Sequence, residues 1–309
     1  MITPVIKDSE MLASSCPVCG SSDQSKIFAE SNFDQKKIGE FAFASRKFPE
    51  YMHYRLVDCP VCDLLYASPM PQPSLLIKAY YEASFDSAQE THYASRTYAS
   101  FLPGIIRRIP DLDGALDIGT GDGAFLEELA AKGFTRIAGV EPSGAPIAAA
   151  KDEIRPLIKN AVFRGDDFPK EGFSLVTCFH AFEHMYEPLE VCRSIYALLK
   201  PGAAAFFIYH NRHALFAKLM GIKSPIYDIE HLQLFSKKSV EFLLNKCGFV
   251  DIKVKILCNC YPLHYWLKLF PFPLRLKKVL VSGLRKTIIA YVPIVLPAGN
   301  FAVICYKRH

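Results

Sequence analysis

The segment Ala115-Leu116-Asp117-Ile118-Gly119-Thr120-Gly121-Asp122-Gly123 constrains this chain more than any other, because an apolar strand hands over in it directly to an amphipathic helix. Ala115, Leu116 and Ile118 read as a short buried strand, and Phe125, Leu126, Leu129 and Ala130 recur at helical spacing until Gly133 stops the run. The three glycines remove side chains where a ligand must lie against backbone, and the helix start offers free N–H groups beside them. The turn predicts a doubly wound α/β domain with a cofactor at the end of this strand.

The turn alone does not select the cofactor, since Gly119-x-Gly121-x-x-Ala124 also satisfies the nicotinamide-dinucleotide fingerprint. Its surroundings are more selective. A second apolar strand, Arg136 to Val140, ends in Glu141, where an acidic side chain accepts from both ribose hydroxyls. Ala161 to Arg164 reads as a third strand leading to Asp166 and Asp167, and Phe173 to Phe179 is a further apolar run. An acid after the third strand suits an exocyclic adenine amine, which a nicotinamide site does not require.

From about Ala115 to Val250 the chain resembles the class I S-adenosylmethionine-dependent methyltransferases. ALDIGTGDGAFLEEL, the GVEPS of Gly139 to Ser143, the GDDFP of Gly165 to Pro169, the HAFEHM of His180 to Met185 and the LLKPG of Leu198 to Gly202 follow that family's order. The resemblance implies a Rossmann-like seven-stranded sheet. It places Gly119, Gly121 and Gly123 along the methionine end of the cofactor, Glu141 on the ribose, and Asp166 with the Asp167 backbone on the adenine. Asp117, Thr120, Pro142 and His180 stand in the same motifs and complete the expected cofactor set. Downstream, a helix is expected from Pro188 to Leu199, a fifth strand from Ala203 to Tyr209, and a helix from Ser236 to Cys247. Val250 to Leu257 and Asn300 to Tyr306 make the last two strands, antiparallel at one edge by the family's plan.

Four of the ten cysteines form a second signal, Cys16-Pro17-Val18-Cys19-Gly20 and Cys59-Pro60-Val61-Cys62. Two residues between the thiols of each pair let both reach one ion, and two such knuckles complete a closed tetrahedral site for structural zinc. The pattern reads as a zinc ribbon with a long insert, in a module with linker spanning residues 1–85 ahead of a catalytic domain at 86–309. The other six cysteines read as small buried side chains, Cys178, Cys192 and Cys305 above all. No basic start followed by an apolar run and a small-residue cleavage site opens the chain, so a cytoplasmic location is expected.

Candidates for chemistry cluster after the fourth strand and before the late helix. Transfer of a methyl group is an in-line displacement, so the protein supplies alignment and takes a proton from an alcohol acceptor. His180 follows Phe173–Phe179 at the edge where the crevice opens, and His231 precedes the Phe235-Ser236 helix start; either suits the role of base. His180-x-x-Glu183-His184 also has inverted-metallopeptidase spacing, but that chemistry wants the motif within a helix, not at a strand end. The stretch is similar to the Glu-x-x-Glu-His element of ubiquinone-pathway O-methyltransferases, with His180 in place of the first carboxylate, a departure that disfavours a hard ion. Pro69, Pro71 and Pro73 followed by Tyr80 and Tyr81 resemble bacterial methyltransferases of glycan and natural-product pathways. That likeness makes Tyr80, Tyr81 and Tyr93 candidates on the substrate side, where Glu183 and His184 of the stretch after the fourth strand are also expected.

Charge is uneven. Asn211 to His309 carries 16 basic and 4 acidic residues, and none is acidic beyond Asp251. Residues 261–298 interleave Trp266, Phe270, Phe272 and aliphatics with Lys268, Arg275, Lys277, Lys278, Arg285 and Lys286. This hydrophobic, basic insert before the last strand predicts either a cap on the active site or peripheral contact with an anionic membrane. Ile288 to Tyr306 lacks charge, yet Pro293, Pro297, Gly299 and Asn300 oppose a spanning helix. The expected reaction is methylation of a small-molecule, glycan or lipid-linked acceptor, preferably at a hydroxyl. C-methylation of a nucleotide-bound deoxysugar, ribosomal-RNA methylation and a non-catalytic cofactor-binding scaffold are the alternatives. Nucleic acid is disfavoured, because the basic tail is aliphatic-rich and not a groove of spaced stacking aromatics.

Overall fold

The computed structural model describes residues 10–24, 26–37, 43, 50–85, 88–269 and 280–309. The first part holds β1 (Met11–Leu12), β2 (Ile27–Ala29), β3 (Leu56–Asp58), β4 (Leu65–Ala67) and β5 (Met70–Pro71), followed by α1 (Pro73–Tyr81), α2 (Ala88–Ala99) and α3 (Leu102–Ile106). Then come β6 (Ala115–Ile118), α4 (Ala124–Ala131), β7 (Ile137–Glu141), α5 (Gly144–Ala149), β8 (Ile158–Asn160), β9 (Phe173–Phe179), α6 (Pro188–Leu198) and β10 (Leu199–His210). The chain ends with α7 (Leu215–Met220), β11 (Gln233–Leu234), α8 (Lys237–Lys246), β12 (Val250–Pro262), α9 (Leu263–Leu269) and β13 (Pro293–Tyr306).

Seven strands form one sheet in the order β12-β13-β10-β9-β6-β7-β8. Pairing is parallel from β10 to β8, and β13 is antiparallel to both β10 and β12. β6 and β9 are buried along nearly their whole length, which explains their continuous apolar runs, because helices cover both faces of a parallel sheet. From β6 the chain moves outward through β7 to β8 and then returns to β9 on the other side. The crevice between the carboxyl ends of β6 and β9 is therefore the topological switch point, where ligands of such sheets bind.

Two strand expectations need correction. The third strand is Ile158–Asn160, and Ala161 to Arg164 lies beyond it, because β8 is an edge strand that pairs only with β7 before the chain turns away. The last two strands run further than their apolar centres suggest, pairing from Val250↔Tyr306 to Pro262↔Pro293. The ends of the 261–298 segment thus belong to this hairpin. Its bases Arg275, Lys277 and Lys278, with Phe270 and Phe272, lie outside the described residues, as does the Lys268 side chain.

The cysteine module is stitched into the rest. β2, β3 and β4 make a small antiparallel sheet whose fourth strand, β11, comes from the segment before α8. Cys16, Val18, Cys59, Cys62, Leu64 and Tyr66 share one apolar core with Leu116, Val176, Phe207 and Leu243. Across this seam the buried Arg212 pairs with the buried Asp58, and Arg212 Nη1 reaches Asp63 Oδ1 at 3.6 Å. Ser236 caps α8 in a reciprocal box with Ser239, which fixes where β11 ends and the helix begins.

Candidate functional site

The glycine turn is built as its sequence requires. Gly119, Gly121 and Gly123 all have positive φ, at 75°, 59° and 75°. A Cβ on Gly119 would stand 2.8 Å from Ala181 Cβ, so this glycine lets the loop after β9 close onto the turn. A Cβ on Gly123 would strike Ile154 Cγ2 at 2.4 Å, whereas one on Gly121 would meet nothing within 4 Å. Gly121 therefore lies under open space, where a ligand has room against backbone.

Glu141, at the end of β7, braces the same turn. Its Oε2 accepts from the Gly121 N–H at 3.1 Å and its Oε1 from the Ser143 N–H at 2.9 Å, while burial raises its pKa to about 7. Each oxygen keeps a lone pair for a ribose hydroxyl. Asp117, buried in β6, accepts from Thr177 Oγ1 at 2.6 Å and is pushed up to about 6 by burial. It ties β6 to β9 just ahead of the glycine turn. Thr120 is buried against Gly139, and the Pro142 carbonyl accepts from Asn160 at 2.8 Å. Asp166 lies exposed on a 3-10 turn, Gly165–Asp167, and Asp167 pairs with Lys159 at 3.0 Å.

Beside the turn stands a column of histidines. His180 leaves β9 in the left-handed region, φ 50°, and its ring centre lies 4.4 Å from that of His210, which ends β10, the two planes tilted by 32°. His210 lies 5.1 Å from His231, His231 lies 4.9 Å from His184, and His184 meets Tyr80 edge-on at 5.9 Å. Burial holds His180 and His231 well below the ordinary imidazole range and His210 at about 4, so these rings are neutral at physiological pH. His231 Nδ1 lies 2.9 Å from the Ile226 carbonyl, which only accepts; the proton is on Nδ1 and the lone pair on Nε2. His184 is fixed in the same tautomer by the Glu230 carbonyl at 2.9 Å, and Tyr80 donates to that carbonyl at 3.3 Å. Glu183 is wholly buried and accepts from the His210 backbone N–H at 2.8 Å, with its pKa raised by burial to about 7.

The fold thus gathers His180, Glu183, His184, His231 and Tyr80. It does not bring in Tyr81, which is 44% exposed, and it places Tyr93 half-buried on α2. His210 and Asn300 were not anticipated. A signal existed for His210, since it terminates the strand parallel to the one that His180 follows, and equivalent ends of adjacent parallel strands are neighbours.

The four knuckle thiols converge without disulfides. Cys16 and Cys62 sulfurs are 3.5 Å apart, those of Cys19 and Cys59 are 3.4 Å apart, and all four lie within 4.8 Å of one another. Zinc–sulfur bonds of about 2.3 Å in a tetrahedron require sulfur separations of about 3.8 Å, so the set fits a zinc ion with little adjustment. Gly20 and Asp63, each following the second cysteine of its knuckle, both take positive φ and close the loops.

A family model described as a methyltransferase domain matches residues 91–254. The chain belongs to the methyltransferase-domain family. A ubiquinone biosynthesis O-methyltransferase of Pseudomonas putida is 33% identical over 126 residues, 38% of this chain and 52% of the relative. The counterpart in Pseudomonas entomophila is 34% identical over 107 residues, 32% of this chain and 44% of the relative. The chain spans about half the length of the curated relatives it matches. Among solved structures, a SAM-dependent methyltransferase from Archaeoglobus fulgidus aligns over 76% of this chain and 100% of its own, at 18% identity and TM-score 0.47. In this methyltransferase-family chain the glycine turn and Glu141 lie at the switch point, and His180, at the head of the histidine column, leads into the loop that Gly119 approaches.

Proposed function

We propose that this protein transfers a methyl group from S-adenosylmethionine to a hydroxyl of a glycan, lipid-linked or natural-product acceptor. The observation that carries the reading is His231: a buried, neutral imidazole, held in one tautomer with its Nε2 lone pair available, in the column beside the glycine turn. When bound, the cofactor supplies an electrophilic methyl on a sulfonium. Gly119, Gly121 and Gly123 give it backbone to lie against, Glu141 accepts from its ribose, and Asp166 with the Asp167 backbone takes the adenine. His231 accepts the acceptor's proton, with His180 as the rival base, and Tyr80 and His184 close the acceptor side. The curated relatives are O-methyltransferases by name, which agrees with an oxygen acceptor. Structural zinc on Cys16, Cys19, Cys59 and Cys62 stabilises the module.

Where the acceptor is found is part of the same reading. α7 packs on β13 and leaves Leu215 and Leu219 largely exposed, and Ile288, Ile289 and Val295 are exposed as well. Lys218, Lys223, Arg285 and Lys286 lie on or next to these segments, and acidic residues are absent from the sequence beyond Asp251. An apolar face with basic residues suits the surface of an anionic membrane. Among the described residues no helix is long and apolar enough to cross one.

Incubation with cofactor labelled in its methyl group and fractionated cell extract, then identification of the labelled product, tests the reaction. His231→Ala should lower turnover about 100-fold with cofactor affinity kept. Wild-type turnover in that variant and in His180→Ala would remove both bases. Flotation with anionic vesicles tests the surface. Binding should fall with salt and be lost in Leu215→Asp/Leu219→Asp, and a wild-type protein that stays with the soluble fraction at low salt would refute it.

A further inference from the structure

We propose that Asn300 is a positioning residue for the transfer: its amide holds the His180 ring with the proton on Nδ1, which makes His180 a hydrogen-bond donor to the acceptor and leaves it no lone pair with which to act as the base. Asn300 stands on β13, is 8% exposed and lies between two imidazoles, with Oδ1 3.0 Å from His210 Nδ1 and Nδ2 3.5 Å from His180 Nε2. A carbonyl oxygen only accepts and an amide nitrogen only donates. His210 therefore gives an Nδ1 proton to Oδ1, while His180 Nε2 offers its lone pair to Nδ2. The distances favour this orientation over its reverse. An N–H···O bond spans about 2.7–3.2 Å, which the 3.0 Å contact meets, whereas the amide turned over would put its carbonyl on the 3.5 Å contact.

Both rings are neutral, since burial holds His180 well below the ordinary imidazole range and His210 at about 4. A neutral imidazole has one N–H and one lone pair, so with its lone pair engaged by Asn300 the His180 proton stands on Nδ1. That nitrogen is buried and has no partner in the fold. Buried donors are as a rule satisfied, and an exception at a functional site is completed by a ligand.

Local structure serves the amide. Leu257 pairs with Asn300 and Cys258 with Pro297, so Ala298 and Gly299 have no counterparts on β12 and form a bulge, a device that re-aims the neighbouring side chain. Gly299 takes φ 89°, and its carbonyl accepts from the Asn211 N–H at 2.9 Å, which pins the bulge to the residue after His210. The His180 ring is held between that of His210 and that of Tyr98 on α2, 6.4 Å away.

Resting on the methyltransferase reading, the two candidate bases then have separate roles. His180 donates from Nδ1 to an acceptor oxygen that has a free lone pair and so holds the substrate. His231, whose Nδ1 proton goes to the Ile226 carbonyl, keeps its Nε2 lone pair and receives the proton. A site that donates to a substrate oxygen rejects the analogue lacking it.

The test is long-range ¹H–¹⁵N NMR of the full chain labelled in its histidine rings, at about pH 8, with His180→Gln and His210→Gln assigning the signals. In the wild type both rings should be protonated on Nδ1 and bare on Nε2. The carboxylate of Asn300→Asp only accepts, so there His180 should gain a proton on Nε2 while His210 keeps its own on Nδ1. Nε2 protons on both rings of the wild type, with His210 the ring that changes in the variant, would mean the reversed amide and overturn the proposal. So would an unchanged His180 in a folded Asn300→Asp protein. With methyl-labelled cofactor and the extract fraction that the wild type labels, Asn300→Asp should need at least tenfold more extract for half-maximal labelling; a loss confined to the maximal rate would instead make His180 the base. S-adenosylhomocysteine binding reports that each variant is folded, and its failure to bind the wild type would strike the methyltransferase reading and leave the tautomers standing. Should Asn300→Asp not fold, the wild-type tautomers decide.

Discussion

Gly121 separates the two uses of glycine in the cofactor turn. At φ 59°, an alanine there meets the left-handed penalty of about 1–2 kcal/mol, partly offset by the stiffer unfolded chain, about 0.4–1 kcal/mol. No heavy atom lies within 4 Å of the added Cβ, so there is no collision cost. Gly121→Ala should therefore lower the thermal midpoint by only about 2–4 °C. The new methyl nonetheless enters the open space proposed for the cofactor, where an overpacked contact costs about 1–3 kcal/mol, roughly 5- to 150-fold in affinity. Gly123→Ala is the control: its Cβ meets Ile154 Cγ2 at 2.4 Å and Ile158 Cδ1 at 3.2 Å inside the core, and it should lose much more stability. Thermal unfolding without ligand and calorimetric titration with S-adenosylhomocysteine measure both quantities. Wild-type affinity in a folded Gly121→Ala protein would refute the placement of the cofactor. So would a destabilisation equal to that of Gly123→Ala.

Three more outcomes are expected. Burial raises Glu141 to about 7 from 4.5, so the ligand-free fold holds an increment of stability at low pH and gives it up as pH rises through about 7, while ribose binding wants the carboxylate. Cofactor affinity should rise about tenfold between about pH 6 and pH 8. Glu141→Gln should flatten that profile and weaken binding by about 1–3 kcal/mol, and an unchanged profile contradicts the role. Elemental analysis should find zinc on the four knuckle thiols, and stripping it should lower the melting temperature and loosen amide protection at Gln233 and Leu234; a metal-free protein with unaltered melting would be decisive against it. Asp58→Asn should cost about 1–3 kcal/mol by removing the buried carboxylate partner of Arg212, which keeps Asp63, and Asp58→Asn/Arg212→Met should recover part of it in urea unfolding; no recovery would show that the charge is not what holds the seam.

What was legible in the amino-acid sequence is what short spacing encodes. The strand, glycine turn and helix of residues 115–131 are set by apolar period and by the need for positive φ, both local properties. Paired Cys-x-x-Cys knuckles need only the reach of two thiols on one loop, and Glu141 stands 20 residues from Gly121, within one strand–helix–strand unit. The tertiary structure decided the rest. Glu183 meets the His210 backbone across 27 residues, His210 meets Asn300 across 90, and Asn300 reaches His180 across 120. None of these separations leaves a trace in periodicity, because sheet order and not chain order makes β9, β10 and β13 neighbours. The same holds for β11, whose two residues join the cysteine module only because the chain returns to pair with β4. Spacing along the chain therefore specified where a cofactor and a zinc ion fit, while the packing of distant strand ends determined which histidines stand together beside them.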